Sequence, residues 1–562
     1  MKDEQLILEA RERYEKIDKN NFENKERFKE SMKFAFNIEE GHWDSSDVAD
    51  RDKKGRPHLT VNKMAKFVRQ VVNSERGIPD RDDIIPVDDK GDPAIAKVYN
   101  DLISDIEYQS EADQVYTLSG EHAVGGGFGY WRVITEYMDD CFDQEIRLKK
   151  IKNPLNVDID PRGNFAFIRE GVPWEEFKQS YPKAEKSDFK PAEDDELWFE
   201  DDKLFIAEYF RKEPYDKTIV EVIENNEVRV YEETDENRKG LSKLNVQRRD
   251  TRKSYKIMWY KITGHEVLER QEWPGKYIPI VEVAGHEVHL EGKTHKLSLI
   301  WDAKDMNQAY DYWFTSMTEK VALTPKAPYI LTKDQINGYE DLWDTANTDN
   351  LPYLLYNYTS AGAPQRAQTP EIDQGAMIML NLCDANIKDV LGMYESSLGM
   401  QSNERSGKAI VARSARSDLM TFNFPDNLRR AKVQTKKILL DLIPKIYDNQ
   451  RVIRIRGEET VNINLPTVDA EGNEIILNDL SKGRYDVRVS IQNNPSRREQ
   501  IAQNIIQAMQ YAPDYAPVLL ELLMQFLDAP GSDEILGAIR QKSAQMQQEQ
   551  AMKEGKIPEL GI

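Results

Sequence analysis

The 562-residue sequence predicts an α+β protein arranged around a long helical hairpin. Three observations carry that expectation. Between Tyr130 and Val288 the chain is dominated by short runs of β-branched and aromatic residues, the pattern of strands. From Leu297 the period changes: Leu299, Ala303, Met306, Tyr310, Trp313, Met317 and Val321 recur every three or four residues, as in a helix that buries one face. Beyond a proline- and tyrosine-rich insertion a second helical run follows, and strands return after residue 450.

Taken in order, Leu6, Ile7, Ala10, Tyr14 and Ile17 predict an N-terminal helix. Gly41 to Gly55 reads as a polar loop, and Val61, Met64, Ala65, Phe67, Val68, Val71 and Val72 form the apolar face of a second helix. Pro79 and Pro86 frame an extended piece, and one helix is expected from about Pro93 to Val124. Gly125-Gly126-Gly127-Phe128-Gly129 then suits a close-packed turn from helix to strand. Strands are expected at Trp131–Tyr137, Leu204–Phe210, Thr218–Val222, Val228–Tyr231, Lys256–Ile262 and Ile278–Val283. The acidic stretch Ala192–Asp202 and the basic stretch Gln247–Lys256 read as solvated loop or strand faces.

The first hairpin helix is expected over Lys293–Thr324, 32 residues and roughly 48 Å at 1.5 Å per residue. The insertion that follows carries Pro325, Pro328, Pro352 and Pro364 with Tyr353, Tyr356 and Tyr358. Thr369-Pro370 makes a good N-cap and first turn for the second helix, and Gly392 a C′ residue for its end. Gly392–Gly407 is polar; Ala409–Tyr447 reads as a long helix interrupted at Pro425 and Pro444. Strands follow at Val452–Ile455, Val461–Leu465, Glu474–Leu477 and Tyr485–Ile491. The end is helical from about Arg497 to Gln550, with breaks at Pro513, Pro517 and Pro530.

Composition narrows the function classes. Only 39% of residues are apolar and 31% are charged, and no apolar run approaches the roughly 20 residues of a membrane helix. The first residues lack the apolar stretch of an export signal, and Cys141 and Cys383, the only cysteines, suit a reducing cytoplasm. The balance of 77 basic and 99 acidic residues, net −22, is poor for a protein that wraps nucleic acid by neutralising phosphates. It is compatible with one that lets DNA pass without holding it.

Catalytic motifs are near misses. Gly292-Lys293-Thr294 ends like a P-loop, but Glu287 occupies the required first glycine position; Gly407-Lys408 has Ser402 there and Ala409 in place of the magnesium-binding hydroxyl. His286-Glu287-Val288-His289 is one residue short of a zincin motif, and His265, His286, His289 and His295 lack a closely spaced carboxylate or cysteine set. No nucleophile elbow is present, so neither an enzyme, a metal nor a cofactor is expected.

Six short blocks in order then point to a family. Gly55-Arg56-Pro57-His58-Leu59-Thr60-Val61-Asn62-Lys63, with Phe67-Val68 and Val71-Val72, resembles the N-terminal signature of portal proteins of short-tailed double-stranded DNA phages. Similar too are Ile106-Glu107-Tyr108-Gln109-Ser110 with Ala112-Asp113, Glu121 to Val133, and Asn153-Pro154 with Asp158-Ile159-Asp160-Pro161. So are Phe424-Pro425-Asp426-Asn427-Leu428 and Gly483-Arg484-Tyr485-Asp486-Val487.

The resemblance implies a dodecameric ring at one capsid vertex, assembled in the host cytoplasm and retained in the virion. Double-stranded DNA would pass through its channel, and the terminase large subunit and then tail adaptor or head-completion proteins would dock on it. Major capsid and scaffolding proteins are further implied partners. On the portal plan the wing is Met1–Gly292 with the strands Arg451–Gln492, the stem Lys293–Thr324 and Thr369–Leu391, and the clip about Pro325–Gln368. The tunnel loop is Gly392–Gly407, the kinked wing helix Lys408–Gln450, and the crown Asn493–Ile562, too short for a long C-terminal barrel. Lys388, Arg405, Lys408 and Arg413 are candidate channel cations, against the simpler role of exposed surface charges; Tyr353, Tyr356 and Tyr358 are candidate docking residues or subunit contacts. A different ring-forming virion component, such as a tail adaptor or baseplate protein, is the second reading. A packaging ATPase or nuclease is the third.

Overall fold

The computed structural model describes residues 3–523 apart from 77–82, 89–90, 139–141, 186, 190–202, 225–226, 234–236, 242–243, 324–326, 368–373, 394–418, 455–459, 469–473, 489–494, 512–518 and 521–522. The chain opens with helix α1 (Asp3–Phe36). Its expected face, Leu6, Ile7, Ala10, Tyr14 and Ile17, is buried. The expected polar loop is partly helical: α2 (Ser45–Lys53) begins after Asp44, with Asp47 in its first turn and Arg51 and Lys53 in its last, matching the helix dipole. α3 (Met64–Arg76) buries Met64, Phe67, Val68, Val71 and Val72, while Val61 lies ahead of it in extended chain.

Strand β1 (Asp83–Pro86) follows. The single helix expected over 93–124 is two, α4 (Pro93–Gln109) and α5 (Ala112–Gly126). The break falls at Glu111, whose φ of 50° no continuous helix accommodates. α5 turns into β2 (Phe128–Tyr137) through Gly127 at φ 109°. Here the glycines are required by contact: a Cβ on Gly129 would lie 2.2 Å from the Ser119 carbonyl oxygen, and one on Gly126 2.3 Å from the Phe28 ring.

β2 pairs antiparallel with β3 (Gln144–Lys150). Then come β4 (Val157–Ile159), β5 (Phe165–Pro173), helix α6 (Trp174–Ser180) and β6 (Lys203–Glu224), which joins two expected strands into one of 22 residues. β7 (Glu227–Glu232), the helical turn α7 (Arg238–Leu241), β8 (Asn245–Ile262) and β9 (Val267–Trp273) complete an antiparallel sheet ordered β4-β5-β6-β8-β9, with β7 beside β6. The basic stretch Gln247–Lys256 is the outer part of β8; the acidic stretch Ala192–Asp202 lies outside the described residues.

β10 (Ile280–Ala284) adds to β2, giving a second sheet ordered β10-β2-β3. The hairpin helix expected over Lys293–Thr324 starts later. β11 (His286–Leu290) and β12 (Lys293–Leu297) form a hairpin, a 3-10 turn covers Trp301–Ala303, and α8 spans Lys304–Leu323, 20 residues or roughly 30 Å. Glu291 and Gly292, at φ 51° and 77°, make the tight turn that stops a helix there. The P-loop-like Gly292-Lys293-Thr294 is thus a hairpin turn, and His286 and His289, three apart on a strand, point to opposite faces.

β13 (Tyr329–Ile330), α9 (Lys333–Ile336), α10 (Glu340–Asp344) and β14 (Gln365–Arg366) form a small insert before α11 (Gln374–Val390). The Thr369-Pro370 start lies outside the described residues, but the Gly392 stop is present at φ 65°. Met393 N–H donates to the Lys388 carbonyl (2.9 Å) and Gly392 N–H to that of Asp389 (3.0 Å), the Schellman pairing. α12 (Asn423–Ile446) holds Pro425 in its first turn and Pro444 in its last; Leu419 and Met420 are helical just ahead of it, so the expected run is broken at 421–422, close to Pro425, and its part before 419 lies outside the described residues. β15 (Arg451–Arg454), β16 (Thr460–Ile463), β17 (Leu465–Val468), β18 (Glu474–Leu477) and β19 (Tyr485–Arg488) follow, and α13 (Pro495–Tyr511) begins the terminal helical part. β19 returns to pair with β1, some 400 residues earlier.

The largest core packs α4, α5 and α12 against the β10-β2-β3 sheet around Trp131, whose indole N–H donates to Thr435 Oγ1 at 2.9 Å. A second core joins Phe34, Phe67, Val68 and Val71 to Ile300, Ala303, Ile387 and Leu391, so the roots of α8 and α11 are embedded among the N-terminal helices.

Candidate functional site

The hairpin and its insert are the part of the fold that no ordinary two-layer core requires. α8 and α11 pack on one another, yet the most buried face of α8 is polar. Asn307, Asp311 and Thr315, four residues apart, are at most 1% exposed. They bind the extended segment that carries Leu59, Val61 and Lys63. Leu59 N–H donates to Thr315 Oγ1 (3.0 Å), Val61 N–H to Asp311 Oδ1 (2.8 Å) and Lys63 N–H to Asn307 Oδ1 (3.3 Å). Four helical residues rise about 6.0 Å and two extended ones about 6.6 Å, so the two ladders stay in step over three rungs. Arg56 continues the series with a two-pronged pair to Glu319 at 2.7 and 3.0 Å, which holds that carboxyl below its usual range.

His42 closes the inner end. Its Nδ1 lies 2.7 Å from Asp311 Oδ2, its Nε2 is 2.9 Å from the Phe34 carbonyl, and its ring stacks on Phe34. Asp384 on α11 takes Lys63 and, at 2.9 Å, Lys388. Partial burial alone would raise the Asp384 carboxyl; hydrogen bonds from the two lysines hold it below its usual range. The segment Arg56–Lys63 therefore straps both helices to the N-terminal body. None of Asn307, Asp311 or Thr315 was singled out by hydrophobic periodicity, although their i, i+4, i+8 spacing is visible in the sequence.

The insert is organised by side-chain hydrogen bonds around Gln335, which is 2% exposed. Its amide accepts from Thr332 N–H and donates to the Gly362 carbonyl, both at 2.7 Å, and Trp343 Nε1–H donates to the Leu355 carbonyl at 2.7 Å. From this scaffold Tyr353, Tyr356 and Tyr358 project, all exposed, with Ile330 and Leu355 also open to solvent. Lys388 is placed on α11 against Asp384, away from the tyrosines in sequence and element. Arg405, Lys408 and Arg413 lie outside the described residues. Among the described residues no group of three or more histidine, cysteine, aspartate or glutamate side chains could hold a metal ion. No described helix is long and apolar enough to cross a membrane.

The comparison with known families decides the identity. The model described as "Phage P22-like portal protein" matches residues 11–559. The chain belongs to the phage P22-like portal protein family. It is also similar to the "Portal protein" of Acyrthosiphon pisum secondary endosymbiont phage 1, at 22% identity over 555 residues, 91% of this chain and 77% of that one. A portal protein is a structural component of the virion and not an enzyme, which agrees with the broken P-loop and the strand-borne histidines. The portal family also implies an oligomeric ring that interacts with other virion proteins.

Proposed function

We propose that this portal chain forms a dodecamer at one capsid vertex, through which double-stranded DNA enters during packaging and leaves at ejection. The family match over nearly the whole chain carries this reading. α8 and α11 serve as the stem, the insert from about 325 to 368 as the clip, and the sheets with α1–α5 and α12 as the wing. The segment 392–407 serves as the tunnel loop and the chain from 493 onward as the crown.

The stem assignment is supported by apolar side chains that one copy leaves uncovered. Met377, Ile378 and Leu382 on α11 are 52%, 65% and 48% exposed, a surface suited to the neighbouring stem in a ring. Twelve copies of 65.1 kDa make about 781 kDa. Native mass measurement with particle imaging tests the reading: a holed ring of that mass is expected, and a chain that stays at 65.1 kDa even with scaffolding protein present would refute it.

The exposed clip tyrosines suit docking of the terminase large subunit and later of a tail adaptor, since tyrosine is enriched where proteins meet. Rings lacking Tyr353, Tyr356 and Tyr358 are expected to lose capture of the cognate terminase; unchanged capture would return these residues to a subunit contact. Arg405 and Lys408, with Arg413, serve as cations along the DNA path. Lys388 is the weakest of the four, because Asp384 already offsets its charge. An Arg405→Ala/Lys408→Ala ring that packages and retains DNA as wild type does would remove that role.

A further inference from the structure

The C-terminal half of α12 borders a polar cavity of about 470 Å³. Four cations line it: Lys437 and Lys445 from α12, Lys276 from the link between β9 and β10, and Arg484 just before β19. Two carboxylates, Asp441 and Asp486, line it as well. Four positive and two negative charges leave a net of +2, in a chain whose total is −22.

The charges are not spread evenly. Asp441 is already engaged: both its oxygens accept from Lys445 Nζ at 3.0 Å, and Oδ2 also accepts from Lys276 N–H at 2.7 Å. Asp486 is exposed and accepts from Val487 N–H at 2.7 Å. Lys437 and Arg484, by contrast, have no carboxylate partner among the described residues. Lys437 shares the helix face of Asp441, four residues on, while Arg484 comes from a separate element.

The walls are held by hydrogen bonds of their own. Tyr99 Oη–H donates to the Leu480 carbonyl at 2.7 Å. The Tyr485 hydroxyl accepts from Asp92 N–H at 3.1 Å, which leaves its own proton to give. The Tyr99 and Tyr485 rings lie 5.1 Å apart, and Tyr277 and Leu440 extend the same lining.

Size and charge together define the guest. A residual +2 matches a phosphate monoester, which carries about −1.5 to −2 at neutral pH. A lone carboxylate would leave one cation uncompensated. The volume falls within the range of about 300 to 1,000 Å³ of small-molecule sites, more than a bare phosphate fills. We propose that this cavity binds a nucleotide-sized phosphate monoester. Its phosphate is held by Lys437 and Arg484, and its organic part lies against Tyr277, Tyr485 and Leu440. The site is complete within one copy, so it stands or falls apart from the ring reading.

Calorimetric titration of the full chain with adenosine monophosphate tests it. Saturable binding is expected, with adenosine at least about tenfold weaker because the charge-assisted bonds to phosphate are gone. Lys437→Gln/Arg484→Gln weakens the nucleotide by more than about tenfold. Lys482→Gln leaves it unchanged, since Lys482 lies outside the cavity and pairs with Asp479 at 3.1 Å. Arg484→Gln alone, at an exposed position, loses several-fold and keeps the test open to a chain that tolerates no change at Lys437. No binding of adenosine monophosphate, or equal binding of adenosine, overturns the site. Inorganic phosphate that binds as tightly as the nucleotide overturns the organic part. A poly-aspartate peptide that displaces the nucleotide at lower concentration reassigns the cations to an acidic protein segment and overturns the phosphate. Two DNA probes then separate the sources. Competition by a blunt duplex with phosphorylated ends, and not by the same duplex without them, assigns a DNA terminus; competition by neither assigns a free ligand. Competition by both assigns the diester backbone and overturns the monoester.

Discussion

Asp311 and His122 show how much of this fold depends on single buried polar groups. Asp311 accepts from Val61 N–H and from Asn307 Nδ2 (3.0 Å) and faces His42, all without access to water. Asp311→Ala leaves a buried backbone N–H and a histidine without their acceptor, a loss of about 3 kcal/mol. The expected outcome is a lower melting temperature together with proteolytic cleavage between residues 54 and 64, and an uncut strap would contradict it. His122 is 8% exposed, and its Nδ1 finds no hydrogen-bond partner. Burial pulls its pKa from 6.5 down to about 4. Between those values the unfolded chain binds a proton that the folded chain refuses, so stability falls as pH drops from 6.5 towards 4 and is unaffected above 6.5. The full loss is about 3 kcal/mol per subunit. Melting curves across that window should be flatter for His122→Leu than for wild type; equal slopes would assign the acid sensitivity to other groups.

At the scale of elements, what was legible in the sequence followed apolar spacing and backbone chemistry. The buried face of α1, the glycine turn into β2 and the Gly392 stop of α11 are all stated by local residues. The start of α8 was not, because the helical step through Leu299 and Ala303 runs on from a strand whose only local marker is the Glu291-Gly292 turn. Nor was the polar clamp on α8. Its partners at Leu59, Val61 and Lys63 are about 250 residues away, and periodicity counts Asn307, Asp311 and Thr315 as the wet side of the helix. The exposed stripe on α11 is the complementary case: Ile378 and Leu382 are apolar and uncovered in a single copy, and on the proposed stem packing a neighbouring copy covers them. Ile378→Asp/Leu382→Asp should therefore leave monomer melting within about 0.5 kcal/mol of wild type, as surface changes do, while abolishing rings in native mass spectra. A variant that still forms rings would move the stem contact to another face.

For the whole molecule the governing quantity is charge. Each chain carries −22, and the twelve of the proposed dodecamer together carry −264, so bringing subunits together works against long-range repulsion while the proposed apolar stem contact acts only at close range. The same surplus keeps a ring from gripping the DNA it passes, leaving any attraction to local cations. Salt separates the two contributions to assembly. Raising ionic strength from about 0.01 M to 0.15 M shortens the screening length from about 30 Å to about 8 Å, which removes most of the repulsion and leaves burial of Ile378 and Leu382 at the proposed stem contact untouched. At fixed subunit concentration the fraction of ring, counted by single-particle mass, should rise across that range. A fraction that falls instead would mean that ion pairs across the joints dominate, and the apolar contacts would lose their place as the main source of ring stability.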